Sequence, residues 1–194
     1  MKYDVMIIGS GPGGYVAAVR AAQLGFNTAV VERENLGGIC LNWGCIPTKA
    51  LLKSAQAFNY IKHSETYGVK IEGSFKPDMN AIVERSRTVA ANMGKGVAHL
   101  MQKNNITVIE GEARLTKDRK VSVEMKDGSG TQVFEADHII LATGARSRNL
   151  PNMPQDGKKI IGYREAMTLR EQPESMVVVG SGAIGSEFAH FYQS

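Results

Sequence analysis

Cysteine is nearly absent from this chain: its 194 residues hold two, Cys40 and Cys45, beside one tryptophan and six prolines. Two cysteines cannot build the disulfide framework of a small secreted domain. A zinc cluster would need a second cysteine pair or histidines at ligand spacing, and His63 and His99 do not have it, so no metal site is expected. Long apolar runs are also missing, and no stretch reads as a membrane-spanning helix. Nor is there a block of like charge. Lysine and arginine are scattered, so the net charge of +4 reads as a mildly basic solvated surface and not as a nucleic-acid site. The opening Met1-Lys2-Tyr3-Asp4 lacks the basic region, apolar core and cleavage site of a secretory signal, and a cytoplasmic location is expected.

Glycine, by contrast, is plentiful: 21 residues, gathered in a few short clusters. Asp4–Ile8 is an apolar run that stops at Gly9, as a strand buried on both faces would. A glycine-rich turn, Gly9–Gly14, leads to the Ala and Val spacing of a packed helix over Tyr15–Leu24. Gly25 ends that helix, and Thr28–Val31 is a second apolar strand closed by Glu32. This is a βαβ unit, which predicts a parallel sheet flanked by helices. A helix is predicted from Pro47 onward, with Ala50, Leu51, Leu52, Ala55, Phe58 and Ile61 on one side. A second spans Asn80–Lys103, with Ile82, Val83, Val89, Met93, Val97, Leu100 and Met101 as its apolar side. Strands are predicted at Ile106–Ile109, Lys120–Met125, Gln132–Glu135 and His138–Ala142, with a hairpin turn at Asp127-Gly128-Ser129-Gly130. After an irregular stretch containing Pro151, Pro154 and Pro173, a strand at Met176–Val179 and a glycine turn at Gly180–Gly185 repeat the opening pattern.

Gly9-Ser10-Gly11-Pro12-Gly13-Gly14 fits the G-x-G-x-x-G fingerprint of a dinucleotide site. Its glycines permit the tight turn, the approach of backbone to a pyrophosphate, and close packing of helix on strand. The helix N-terminus offers unpaired N–H groups and partial positive charge to phosphates. Glu32 follows eighteen residues after Gly14, where an acid can accept a hydrogen bond from a ribose hydroxyl. Gly180-Ser181-Gly182-Ala183-Ile184-Gly185 repeats the fingerprint, but by the same spacing its acid would fall beyond Ser194. The second site is therefore expected to be incomplete.

Between the fingerprints lies Gly37-Gly38-Ile39-Cys40-Leu41-Asn42-Trp43-Gly44-Cys45-Ile46-Pro47-Thr48-Lys49. Two cysteines five residues apart cannot share one face of a regular helix, since five residues advance about 500°. A disulfide requires the backbone to leave the helix between them, which Gly37, Gly38 and Gly44 permit. Pro47 suits the first turn of a following helix, placing Cys45 near an N-terminus whose dipole favours a thiolate. The spacing alone leaves two unpaired core cysteines as an equal reading.

Residues 37–49 resemble the redox-disulfide signature of the class I pyridine nucleotide-disulfide oxidoreductases. The wording Leu41-Asn42 and Ile46-Pro47-Thr48-Lys49-Ala50-Leu51-Leu52 is most similar to the dihydrolipoyl dehydrogenase branch, although Trp43 stands where valine is more frequent. Five motifs follow the family's order: an FAD fingerprint, the redox motif, Gly111-Glu112-Ala113, Ala142-Thr143-Gly144, and an NAD fingerprint. The resemblance implies an α/β fold: a Rossmann-like FAD-binding domain with a small antiparallel meander over residues 1–148. Residues 149–194 would then be a connecting segment and the incomplete start of a second, NAD-binding Rossmann-like domain.

The same resemblance implies roles. Cys45 corresponds to the thiol beside the flavin, Cys40 to the thiol that meets the substrate, and Lys49 to a lysine near the reactive part of the isoalloxazine. Gly9, Gly11, Pro12, Gly14, Glu32, Arg33, Gly38, Gly111, Ala113, Thr143 and Gly144 would hold FAD, and Gly180, Gly182 and Gly185 would belong to the NAD site. The implied reaction is oxidation of a protein-bound dihydrolipoyl group by NAD⁺ through a Cys40–Cys45 disulfide and FAD. A lipoyl-bearing protein of a 2-oxoacid dehydrogenase or glycine cleavage complex would be the partner, with a homodimer for the full-length protein. The alternatives are a related FAD-dependent disulfide or mercuric reductase, or an FAD-binding fragment without turnover. Nothing in the chain matches the family's His-Glu acid-base pair, so the chain alone is expected to be inactive.

Overall fold

The computed structural model describes residues 2–194, which divide by packing into two compact units. One comprises the residues up to Asn42 together with Ala91–Arg146; the other comprises Trp43–Ala90 and Ser147–Ser194. No helix among the described residues is long and apolar enough to cross a membrane.

The first unit is built on a parallel sheet. Strand β1 (Lys2–Ile8) leads through α1 (Pro12–Gln23) to β2 (Thr28–Glu32), and β3 (Thr107–Leu115), β4 (Val121–Met125) and β5 (Thr131–Leu141) follow. β1 pairs with β2 from Val5–Thr28 to Ile8–Val31 and with β5 from Lys2–Glu135 to Ile8–Leu141. β2 pairs with β3 from Ala29–Thr107 to Glu32–Glu110, giving the parallel order β3-β2-β1-β5. The central position of β1 explains its unbroken apolar run, because both of its faces are covered: Met6 and Ile7 are fully buried. α1 begins with Pro12 at its first position, where no N–H is needed, and ends before Gly25 at φ 91°.

β3 and β5 each outrun the parallel sheet and change partner. Gly111–Leu115 pairs antiparallel with β4, and so does Thr131–Phe134. The resulting meander folds onto one face of the sheet. Val121, Val123 and Phe134 share a core with Met6 and Ile8 of β1, Ala29 and Val31 of β2, and Ile109 of β3, alternate residues that point to one face. Each of these side chains larger than alanine contributes about 1.5–3 kcal/mol by leaving water. Two strand predictions thus merge: Gln132–Glu135 and His138–Ala142 lie on one strand, β5, apart from Ala142 just past its end, and the strand predicted at Ile106–Ile109 begins at Thr107 and runs on to Leu115.

The second unit is helical. α2 (Gly38–Trp43) ends where this unit begins, and α3 (Cys45–Lys62), a 3-10 turn at Ser64–Tyr67, α4 (Met79–Lys103), α5 (Tyr163–Ala166) and α6 (Ala183–Gln193) follow in chain order. α4 is long enough to belong to both units; Asp78 caps it by accepting the Ala81 N–H at 3.0 Å. Leu51, Ala55, Ala166, Met167, Phe188, Phe191 and Tyr192 form the core of this unit. Phe191 meets Tyr192 edge-on at 4.9 Å, and the Tyr192 hydroxyl donates to the Ala166 carbonyl. On α4 the buried stripe is Val83, Ser86, Ala90, Val97 and Met101, while Met93, expected on it, is exposed.

Met176–Val179 is not a strand. No described strand pairs with it, and Val177 and Val179 are 89% and 63% exposed. An apolar, β-branched segment becomes a strand only when a neighbour takes its ladder hydrogen bonds, and here none does.

Candidate functional site

The register of the parallel sheet gathers the candidate residues. Ile8 aligns with Val31 and Leu141, and Glu32 aligns with Glu110. The carboxyl ends of four strands therefore share one edge, and Gly9, Glu32, Gly111, Thr143 and Gly144 all lie at it or just beyond. In open α/β sheets this edge is where ligands bind.

Within the fingerprint the glycines have distinct tasks. Gly9 has φ 99°, and a Cβ there would meet the Ala142 carbonyl oxygen at 2.3 Å. At Gly14 a Cβ would lie 1.8 Å from the Gly9 oxygen, so its absence lets α1 start directly against the end of β1. Gly13 faces open space, and a Cβ on Gly11 would meet only Gly38 Cα, at 4.0 Å. The turn is thus packed tightly on its inner side and open over the first N–H groups of α1. Pro12 leaves that helix start with one donor fewer, while the N–H groups of Gly14 and Tyr15 already bond the Gly11 carbonyl, at 2.8 and 2.9 Å.

Glu32 is held to the same turn. Its Oε2 accepts from the Ser10 backbone N–H at 3.0 Å and from the Ser10 hydroxyl at 2.6 Å, and its Oε1 accepts from the Glu34 N–H at 2.8 Å. The redox motif begins here as well. The Gly37 N–H donates to the Ser10 carbonyl at 3.0 Å, and a Cβ on Gly38, at φ 60°, would lie 2.6 Å from Gly11 Cα. The sequence pattern did not single out Ser10, because the fingerprint leaves its position open.

Gly111 sits inside β3, where the strand passes from β2 to β4. A Cβ there would collide with the Glu124 carbonyl oxygen at 2.4 Å. Ala113 pairs with Val123 and packs against the core of the first unit, while Arg33, Thr143 and Gly144 are exposed.

Cys40 lies half-buried in α2, whose turn is fastened by the Asn42 side chain donating to the Leu36 and Gly38 carbonyls at 3.0 and 2.9 Å. Cys45 is the exposed first residue of α3. Gly44 breaks the helix between them at φ −142°, ψ −122°, the departure from helix that the spacing required. No disulfide is present among the described residues. Pro47 falls in the first turn of α3, and the Thr48 hydroxyl ties that turn to the Gly44 carbonyl at 2.7 Å.

In the second unit Lys49 forms an ion pair with Glu187 of α6. Glu187 follows the second fingerprint by two residues, 138 positions from Lys49, a separation that no local pattern reveals. Trp43 is flanked by the guanidinium groups of Arg87 and Arg164, at 4.7 and 5.0 Å from its ring. Burial lowers the pKa of Arg87 from its ordinary value. The second fingerprint repeats the local turn of the first. Gly180 has φ 112°, a Cβ on Gly185 would lie 2.6 Å from the Gly180 oxygen, and Gly182 faces open space.

Comparison with known proteins gives a consistent result. Residues 3–194 match the family described as pyridine nucleotide-disulphide oxidoreductase. A dihydrolipoyl dehydrogenase of Rhizobium etli is 54% identical over 206 residues, an alignment taking in 100% of this chain and 43% of that protein. One from Chlorobaculum tepidum is 52% identical, with 98% of this chain and 40% of the relative covered. Among solved structures, LpdA from Mycobacterium tuberculosis matches with a TM-score of 0.88 at 28% identity, covering 99% of this chain and 42% of that one. The chain thus spans about two fifths of the length of these relatives.

Proposed function

Because this chain belongs to the pyridine nucleotide-disulphide oxidoreductase family, we propose that it is the FAD-holding, redox-disulfide portion of a dihydrolipoyl dehydrogenase. The observation that carries this reading is the edge where the fingerprint turn, Glu32 and the start of the redox motif are bonded together through Ser10. The residues fit FAD: the turn is open at Gly13, at the N-terminus of α1, room that a pyrophosphate needs, and Glu32 is bonded to the same turn with an acceptor left for a ribose hydroxyl. Gly111, Ala113, Thr143 and Gly144 extend that edge, with Arg33 beside Glu32. We read residues 1–148 as the FAD-binding domain and 149–194 as the connecting segment and the start of an NAD-binding domain carrying Gly180, Gly182 and Gly185.

In the reaction, a thiolate of protein-bound dihydrolipoyl attacks Sγ of Cys40 in the oxidised Cys40–Cys45 pair. The disulfide breaks, a mixed disulfide forms, and Cys45 leaves as thiolate. The second dihydrolipoyl thiol displaces Cys40, so the lipoyl group departs oxidised and the protein keeps both electrons as a dithiol. When bound, FAD supplies the acceptor for those electrons and their delivery as hydride to NAD⁺. Lys49, four residues after Cys45 on α3, is the lysine of the redox motif and is paired with Glu187. The partner is a lipoyl-bearing protein of a 2-oxoacid dehydrogenase or glycine cleavage complex, and the complete protein is a homodimer.

Visible absorbance tests this. The chain refolded with FAD is expected to be yellow and, after mild reduction, to show a long-wavelength charge-transfer band that Cys45→Ser removes and Cys40→Ser retains. A colourless protein, or a band indifferent to Cys45, would overturn the assignment.

A further inference from the structure

We infer that Ser10 is a positioning residue for the adenosine end of the cofactor: it fixes the Glu32 carboxylate so that a single acceptor position faces the ribose. This rests on the proposed FAD site and assigns a part of it that the fingerprint leaves blank.

Ser10 is fully buried, yet carries a hydroxyl. A buried hydroxyl without a partner is costly, and this one gives its hydrogen to a carboxylate, a charge-assisted bond of 2.6 Å. The backbone N–H of the same residue reaches the same oxygen at 3.0 Å. A carboxylate offers about four acceptor positions, two on each oxygen. Both on Oε2 are filled by Ser10 and one on Oε1 is filled by the Glu34 N–H, so one position on Oε1 remains. Without the hydroxyl, Glu32 would keep two backbone donors but lose the short contact that stops it rotating about its last bond. The third polar group of Ser10, its carbonyl, accepts the Gly37 N–H. One residue thus ties the ribose acid and the loop before Cys40 to the turn between them.

Calorimetric titration of the chain with ADP and with 2′,3′-dideoxy-ADP, which lacks the ribose hydroxyls, tests the inference. The unaltered chain is expected to prefer ADP by about tenfold, one charge-assisted hydrogen bond. Ser10→Ala is expected to weaken ADP by about that factor and leave the dideoxy nucleotide unchanged, so the preference vanishes. In a Glu32→Gln background Ser10→Ala is expected to add little, and thermal melting of each variant by circular dichroism verifies the fold. Equal weakening of both nucleotides by Ser10→Ala, or none of either, would leave Ser10 a packing residue and overturn the inference. If the unaltered chain binds both nucleotides equally, the ribose role of Glu32 fails and the inference with it. If it binds neither, the proposed cofactor site fails first.

Discussion

Neighbouring glycines in one turn can be told apart only by what a methyl group would meet. At Gly14 the nearest atom would be the Gly9 carbonyl oxygen at 1.8 Å, a contact with backbone that no side-chain rearrangement relieves. At Gly13, one residue earlier, nothing lies within 4 Å. Gly14→Ala is therefore expected to destabilise the first unit by about 3 kcal/mol or more, the upper end of overpacking, because α1 must move off β1. Gly13→Ala is expected to be neutral or stabilising by about 0.5–1 kcal/mol, since α1 already holds that residue in a helical conformation. Urea denaturation of the two variants without ligand measures the contrast. Tyr192 makes a second case. Burial pushes its phenol up to about 12 from an ordinary 10. The folded state holds the proton more tightly than the unfolded one, so the stabilisation is complete below pH 10 and is lost as the pH rises towards 12. The full loss is on the order of 2–3 kcal/mol, about half of it by pH 11. Tyr192→Phe is expected to cost about 1 kcal/mol at neutral pH, through the lost bond to Ala166, and to melt with no such alkaline slope.

At the scale of elements, the sheet shows how a break in a pattern misleads. His138–Leu141 and Gln132–Glu135 read as two strands because Glu135-Ala136-Asp137 interrupts the apolar run, and Glu110-Gly111-Glu112 ends the run of β3 in the same way. Both interruptions fall where a strand changes partner, β5 from β4 to β1 and β3 from β2 to β4. At such a point the face that was buried changes, and polar residues or glycine are tolerated. The helices were more legible, because the apolar spacing of α1, α3 and α4 is a local pattern and Pro47 marks the first turn of α3. The glycine fingerprint and the acid after it were legible for the same local reason. Ser10, Glu187, Arg87 and Arg164 were not, since their partners are chosen by tertiary packing. The handover makes Gly111 sensitive. Gly111→Ala would place a methyl group 2.4 Å from the Glu124 oxygen, and is expected to remove hydrogen-exchange protection from β4 first, while Ile7 and Ile8 in the sheet centre keep theirs. Uniform loss across both sheets would show that the contact is no local matter.

For the molecule as a whole, the two fingerprints share a local turn but differ in what supports it. The first follows a strand paired on both sides, is bonded to the neighbouring strand through the Gly9 N–H and Val31 carbonyl at 2.8 Å, and has Glu32 fastened to it. The second follows a segment that no described strand pairs with, in which Val177 and Val179 face solvent. Glycine turns are cheap to form; holding one rigid enough that several N–H groups point together at a phosphate requires the sheet behind it. Binding at the second turn must supply that ordering itself and will be correspondingly weak in this chain. Hydrogen exchange with and without nucleotide measures the difference. FAD is expected to slow exchange across residues 9–14 and 30–38, whereas millimolar NAD⁺ leaves residues 176–186 exchanging as fast as in its absence. Protection of residues 176–186 by NAD⁺ would mean that the turn and α6 suffice without a sheet, and the second fingerprint would then rank as a working site.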